Sequence, residues 1–558
     1  MTKWEKLQHN GILFPPAYEA QGIKIKIKGE KVDLKLDQEE MVYQWAKKKD
    51  TPYAQDKVFQ KNFTADFAKT LDSKFKKISY EDIDFSDAYK LVDKEKDLKE
   101  MMTKEEKKAI AAKRKELREE LKAKYGIAKM QIKKDSEMID VEVGNYMAEP
   151  PGIFIGRGEH PLRGRWKPRV TAKDVTLNMG KDAPKPKGDW DKIIHDKDSM
   201  WLASWMDFLT QKRKYVWLSD SSDLKQGRDK EKYEKAVKLE NEIEKIKKAM
   251  VKDMKDSKKM NVATACYLIY KTAMRVGDEK DEDEADTVGA TTLRKEHIKI
   301  TPDTIEFDFL GKDSVRWQET LKVVDDDKQF QENLKKLIEK KKPNEEIFHN
   351  ITSRDVNKYF SGIVKGVTAK VFRTFQATTV VKNYLKEHDN IKGKSDNEKL
   401  YHAKLANLEA AIMCNHKRTI PKTFEQSLQK KKDTLKTREK EKAWEKTQQT
   451  LKKVESTEPK TDTQKKNKEK RIKTLNEQIK KQKQKHKERV EKLKLQVDLS
   501  EKTRDYNIGT SLRNYIDPRV FKAWTDEVGA EWEKLYTSAL QKKFLWVKNE
   551  NTKWKEIK

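Results

Sequence analysis

Residues 431–500 contain no glycine, one proline (Pro459), and 24 Lys+Arg against 12 Asp+Glu, a net +12. A run of strong helix formers without glycine folds as helix. Its one break is Ser456-Thr-Glu-Pro459, so the stretch reads as two helices around a turn. Leu428, Leu435, Trp444 and Leu451 mark part of an apolar seam on the first arm. Ile472, Leu475 and Ile479, then Val490, Leu493 and Val497, mark the second. The heptad lapses between 480 and 489, where Lys and Gln dominate, so the distal coil is expected to be loose. The competing reading is a disordered tether.

The rest of the chain is scarcely less charged. Of 558 residues, 35% are apolar and 39% charged, so much of the surface must be solvated helix, yet the length allows two or more cores. Lys+Arg outnumber Asp+Glu by 125 to 95, a net +30 that favours polyanions and steep salt dependence. Cys266 and Cys414 both lie in apolar helical runs and imply no disulfide framework. No signal core and no run of 18 apolar residues is visible, so neither secretion nor membrane spanning is expected. The sequence holds no phosphate-binding Gly-rich loop, no His-Glu-x-x-His and no Cys-x-x-Cys pair, so neither a cofactor nor a metal is expected. The acidic stretch Asp281–Glu284 could hold Mg²⁺, but a solvated loop is the simpler reading.

Along the chain, Ile23–Lys28 and Val32–Leu36 alternate in the manner of half-wet strands. Thr103-Lys-Glu-Glu106 is a capping box that opens a charged helix ending before Gly126. The fold class expected is α+β and multidomain. It comprises a mixed α/β N-terminal lobe (1–222), a largely helical lobe (223–420), the basic hairpin (421–500) and a small helical C-terminal domain (501–558). Trp524, Trp532, Leu535, Tyr536, Leu540, Phe544 and Trp546 are expected to pack that last domain on the main body.

Five residues in four basic motifs and one tyrosine string suggest chemistry. They are Arg275 in Met274-Arg275-Val-Gly277, Lys312 in Leu310-Gly-Lys312-Asp313, Arg373 in Lys370-Val-Phe-Arg373, His416 in Cys414-Asn-His416, and Tyr515 in Asn514-Tyr515-Ile-Asp-Pro518. Opening a phosphodiester by direct attack builds charge on the non-bridging oxygens, which two guanidiniums can match with paired N–H bonds. A phenol needs cationic neighbours to attack at neutral pH. Lys312, at the tip of a strand pair, can protonate the departing sugar oxygen, and His416 can add a hydrogen bond. Any one of these residues alone reads as a surface charge, a helix cap or a packed aromatic. The set together points to a nucleophilic tyrosine.

With those motifs the chain closely resembles the eukaryotic nuclear type IB DNA topoisomerases. The likeness runs from Lys3-Trp-Glu-Lys-Leu-Gln-His-Asn-Gly11 through Glu149-Pro-Pro-Gly-Ile-Phe154, Ala285-Asp-Thr-Val-Gly289 and Pro421-Lys-Thr-Phe-Glu-Gln-Ser427 to the tyrosine string. It implies that Arg275, Lys312, Arg373, His416 and Tyr515 are the catalytic set, with Tyr515 joined to the 3′ end of a nicked strand. It implies DNA contacts at Arg157, Trp201, Lys214, Tyr215, Arg275, Val276, Gly277, Asp278, Glu279, Lys280, Thr287, Lys312, Thr368, Ala369 and Lys370. The resemblance also implies a clamp around double-stranded DNA, a nuclear monomer that needs neither ATP nor metal, and camptothecin-type inhibitors near Phe154, Arg157, Asp313 and Asn514. Three departures stand out. Leu512-Arg513 moves the family's basic residue one place closer to the tyrosine, Ile155-Gly156 loses one arginine, and Asp278 puts a carboxylate where asparagine is common. The alternatives are a tyrosine site-specific recombinase, which uses a similar set, and a DNA-binding scaffold without activity.

Overall fold

The structure, a computed structural model, describes residues 2–277 and 286–557, and the chain divides into two compact units. Of the described residues, 2–230, 286–288 and 309–316 form the first, and 231–277, 289–308 and 317–557 the second. Asp278, Glu279, Lys280 and the acidic stretch Asp281–Glu284 lie outside the described residues.

The first unit has two cores. In one, the three-stranded antiparallel sheet Lys6–Gln8, Ile127–Gln131, Ile139–Glu142 shares its apolar face with a four-stranded sheet. That second sheet runs Lys192–Ile194, Val175–Asn178, Trp201–Met206, Arg213–Trp217, and its first pair is parallel. Trp4, Leu7, Met130, Leu177, Leu202 and Val216 fill the space between the sheets. In the other core, Trp45, Phe59, Phe63, Phe67 and Phe85 gather around Ile25 and Ile27. Ile23–Lys28 yields the strand Ile25–Ile27, with Ile25 and Ile27 buried and Lys26 exposed, as alternation requires. Val32–Leu36 does not become a strand throughout. Pairing stops at Val32, and Leu36 opens the helix Leu36–Ala46 because Gln38 turns back to accept from the Lys35 N–H at 2.8 Å. The helix Lys104–Tyr125 starts at the Thr103–Glu106 capping box, stops at Gly126 and buries none of its residues.

The second unit is largely helical. Met260–Thr272 is buried almost all round, from Ala263 to Ile269, and packs against Lys328–Glu339, Ser353–Ile363 and Ala369–Glu387. The helices Ala369–Glu387 and Asp396–Met413 lie side by side. Their small and apolar residues, Ala377, Val381, Leu385, Ala403 and Ala410, form one core with Val520, Phe521, Trp524, Trp532 and Phe544. The C-terminal segment therefore completes a core that the two helices begin. Each fully buried aromatic here contributes roughly 2–3 kcal/mol of transfer free energy.

The basic hairpin differs from its expected form. The second arm is one 41-residue helix, Asp462–Lys502, but the first is split into Phe424–Lys440 and Glu445–Glu455. The split falls at Glu441, whose extended backbone ends the first piece without help from glycine or proline. It places Trp444 against the stretch where the heptad lapses. The Trp444 ring meets His486 edge-on at 5.3 Å between centroids and lies 5.6 Å below the Lys483 ammonium. An edge-on ring pair and a cation over an indole stabilise that stretch without aliphatic knobs. Trp444→Ala is therefore expected to raise amide hydrogen exchange about tenfold around 445–455 and 480–490, with the melting of both units unchanged. Unaltered exchange there would mean that the indole contributes nothing to the hairpin.

Candidate active site

Arg373 stands in the second turn of the Ala369–Glu387 helix and is only 6% exposed. A guanidinium this far from water must find acceptors, and it finds them at two helix ends. Nη1 donates to the Ala273 carbonyl at 2.7 Å, and Nη2 donates to the Cys414 carbonyl. Ala273 closes Met260–Thr272 in the left-handed region (φ 52°), and Cys414 closes Asp396–Met413. The last carbonyls of a helix lack partners within it and carry its partial negative charge, so two helix ends hold one cation. Nε remains buried and has no hydrogen-bond partner among the described residues.

Tyr515 lies across this guanidinium, whose central carbon is 5.2 Å from the ring centroid. The His416 ring is on the same tyrosine, 5.3 Å between centroids and inclined by 32°. His416 is 6% exposed, and neither ring nitrogen has a hydrogen-bond partner among the described residues. Burial, then the charges of Arg373 and Arg275, pull its pKa down to about 3, so at neutral pH it is an uncharged imidazole with one N–H to give. Its backbone is fixed from both sides: the N–H donates to Ala411 at 2.8 Å, and the carbonyl accepts from Asn507 at 2.7 Å.

Arg275 leaves the buried helix on an irregular strand that needs two glycines. Ala290 N–H donates to the Arg275 carbonyl at 2.8 Å and Thr291 N–H to Val276 at 2.7 Å. Gly277, at φ 87°, approaches Gly289 so closely that a Cβ on Gly289 would stand 2.4 Å from the Gly277 Cα. Val276 and Gly277 are half-buried in this crossing. Arg275, Arg373, His416 and Tyr515 thus converge in the second unit. Arg275 lies near enough for its charge to favour the neutral imidazole of His416 and the thiolate of Cys414.

Lys312 is exposed at the tip of the hairpin Thr304–Gly311 and Val315–Lys322, and that tip, 309–316, belongs to the first unit. There Asp313 (φ 68°) pairs with Arg157, and Ser314 crowds Gly158, where any Cβ would meet its hydroxyl at 2.2 Å. Trp201 and Tyr215 are neighbours on adjacent strands, 5.8 Å between ring centroids, while Lys214 faces Glu149 at 3.4 Å. Thr287 is half-buried. Thr368 caps the Ala369–Glu387 helix and Lys370 is exposed on its first turn. Ala369 is buried, with its N–H given to Asn357 at 3.0 Å. Of the Leu512-Arg513 departure, Leu512 packs on the shared core and Arg513 is exposed, so the relocated charge sits on the outer face of its helix.

Three residues that hold the tyrosine escaped the sequence reading. Ser511, wholly buried, donates to Asn407 at 2.8 Å, and Asn407 donates to the Ile508 carbonyl at 3.0 Å. Thr378 donates to the Tyr515 carbonyl at 3.3 Å and accepts from the Asp517 N–H at 3.1 Å. A signal existed for Asn407, a lone amide inside the apolar run Leu405-Ala-Asn-Leu408. None existed for the threonine.

Residues 2–218 match the family description "Eukaryotic DNA topoisomerase I, DNA binding fragment", 221–451 match "Eukaryotic DNA topoisomerase I, catalytic core", and 487–556 match "C-terminal topoisomerase domain". The protein named DNA topoisomerase 1 beta in Arabidopsis thaliana is 35% identical over 561 residues, covering 98% of this chain and 58% of that protein. DNA topoisomerase 1 of Drosophila melanogaster is 33% identical over 568 residues, covering 98% and 54%, and that of Homo sapiens 35% over 566 residues, covering 98% and 70%. The chain thus spans little more than half the length of the plant and fly relatives. With this identity along almost its whole length, the chain belongs to the eukaryotic type IB DNA topoisomerase family.

Proposed function

We propose that this chain relaxes supercoiled double-stranded DNA by cutting one strand through Tyr515, letting the broken end turn, and resealing it, without ATP or a metal ion. The observation that carries this reading is the set of buried nitrogens beside the Tyr515 ring, namely Arg373 Nε and both nitrogens of His416, that have no hydrogen-bond partner among the described residues. Buried polar groups are nearly always satisfied, so unpaired ones at a candidate nucleophile argue for a polar ligand there. A phosphodiester fits. Its non-bridging oxygens accept from Arg275, Arg373 and the single N–H of His416 while charge grows on them.

In the cutting step the Tyr515 hydroxyl passes its proton to solvent water as its oxygen bonds to phosphorus, the bond from phosphorus to the 5′ oxygen breaks, and Lys312 gives that oxygen a proton. The product is a 3′-phosphotyrosine that keeps the energy of the bond it replaced, and reversal reseals the strand. In this reading residues 1–222 hold the duplex, 223–420 and 501–558 carry the chemistry, and 421–500 form a basic linker that slows turning. Arg157, Trp201, Lys214, Tyr215, Thr287 and Thr368–Lys370 bind mostly backbone phosphate, giving weak sequence preference. The protein acts as a nuclear monomer, and camptothecin-type poisons lodge near Phe154, Arg157, Asp313 and Asn514. Membership of this family does not favour a site-specific recombinase.

Supercoiled plasmid of arbitrary sequence should be relaxed in EDTA without ATP, while Tyr515→Phe binds it equally well but neither relaxes it nor becomes attached to it. Relaxation by that variant would reject Tyr515 as nucleophile.

The two kinds of cation separate on a substrate whose bridging 5′ oxygen is sulfur, a leaving group that needs little protonation. Lys312→Ala should regain most of its cutting rate there, whereas Arg275→Ala and Arg373→Ala stay impaired because the phosphoryl charge is unchanged. Equal defects of Lys312→Ala on both substrates would leave Lys312 as a positioning charge.

For His416 the pH sign is set by its lowered pKa. The unfolded imidazole takes a proton near pH 6.5, but the folded one waits until about 3, so this position destabilises the fold progressively as pH falls through that window. Its ring carbon NMR signals should not move between pH 8 and 5. A titration near 6.5 would show that burial and the two arginines do not hold the imidazole neutral below the ordinary histidine range.

A further inference from the structure

A cavity of about 410 Å³ opens in the second unit behind the Arg373 clamp. Ala273, whose carbonyl holds Arg373, forms part of its wall, with Trp317, Phe375, Ile412 and Met413 as apolar lining. Pockets of this size, apolar with a few polar groups, are the usual form of small-molecule sites.

Glu319 is the anomaly in this lining. On the strand Val315–Lys322 the inward positions are Val315, Trp317, Glu319 and Leu321, so a carboxyl occupies a place that the strand otherwise gives to apolar side chains. Burial alone pushes its pKa up to about 7, with no neighbouring charge contributing. The other charged lining residue, Lys271 on the Met260–Thr272 helix, is already committed to Asp327 at 2.9 Å. Asp327 in turn accepts from the Tyr267 hydroxyl at 2.8 Å. The facing elements contribute neutral polar groups, Gln376 and Thr379 from the Ala369–Glu387 helix and Asn415 beyond the Asp396–Met413 helix. A carboxyl desolvated without a counter-ion costs stability, and such costs concentrate at functional sites.

We propose that this cavity is a binding site for a small organic cation, a primary ammonium on a compact apolar body, with Glu319 as its counter-ion and Trp317 and Phe375 as its aromatic walls. An ammonium here gains the carboxylate directly and the ring faces by cation–π attraction, while its apolar body displaces water from Ile412 and Met413. A neutral molecule of the same shape gains the walls alone. A doubly charged amine would leave its second charge without a partner, so single charge is part of the fit.

The test uses benzylamine and its uncharged isostere benzyl alcohol, titrated into the whole chain and followed at the Met413 methyl by NMR, which also locates the ligand. Benzylamine should shift that signal saturably with a Kd of about 1 mM, ordinary for so small a molecule, and benzyl alcohol should bind about tenfold more weakly or less. Benzylamine stays protonated between pH 6 and 8, so its affinity should rise about tenfold over that range as Glu319 ionises. Glu319→Gln, nearly the same shape, should remove both the preference for the amine and the pH dependence. The proposal is overturned if the two probes bind alike, if the preference survives Glu319→Gln, or if Met413 shows no saturable shift up to about 50 mM benzylamine. No step of the measurement involves DNA, so its failure leaves the cutting chemistry as it stands.

Discussion

The site rests on one buried ion–dipole contact. Arg373 is gripped by the terminal carbonyls of two helices that belong to different parts of the chain, one ending at Ala273 and the other at Cys414. A flexible lysine could not span both acceptors, and an exposed arginine would spend its donors on water. Because the grip uses backbone rather than carboxylates, the guanidinium keeps its full positive charge for whatever lies on its other face. That face carries Tyr515 and His416. The neutrality of His416 follows from the same arrangement, since a third cation beside two arginines in a dry site would be expelled to solvent or deprotonated.

Much of this was legible in the sequence where the cause is local. The Thr103–Glu106 capping box and Gly126 delimit a helix by hydrogen bonds that reach only three or four residues. The apolar run before Arg275 marks a helix buried on every side, and the aromatic residues after Trp524 mark a packed segment. Local rules also compete with one another. Val32–Leu36 alternates like a strand, but Gln38 caps a helix there, and the cap prevails because Leu36 finds no partner strand. At Glu441 the chain leaves the helix with no breaker residue, and the cause lies in the second arm, where a ring contact at His486 takes the place of the missing heptad.

What could not be read are bonds that act across the chain. Ser511 and Asn407 are 104 residues apart, and Thr378 and Tyr515 are 137 apart. Serine and threonine are everyday surface residues, and only their burial in the fold turns them into anchors. The grouping of the hairpin tip 309–316 with the first unit, while its stem stays with the second, likewise depends on packing that no periodicity encodes. The catalytic candidates were visible because their chemistry is unusual, and their supports were hidden because theirs is not.

The shared core of the C-terminal segment has a consequence for how the molecule is made. The faces of Ala369–Glu387 and Asp396–Met413 that receive Val520, Phe521 and Trp524 emerge from the ribosome more than a hundred residues before their cover does. Until the last segment arrives, those helices show bare hydrocarbon to the cell, and Arg275 and Arg373 stand without Tyr515 beside them. A chain broken off early is thereby sticky enough to be caught by chaperones or proteases.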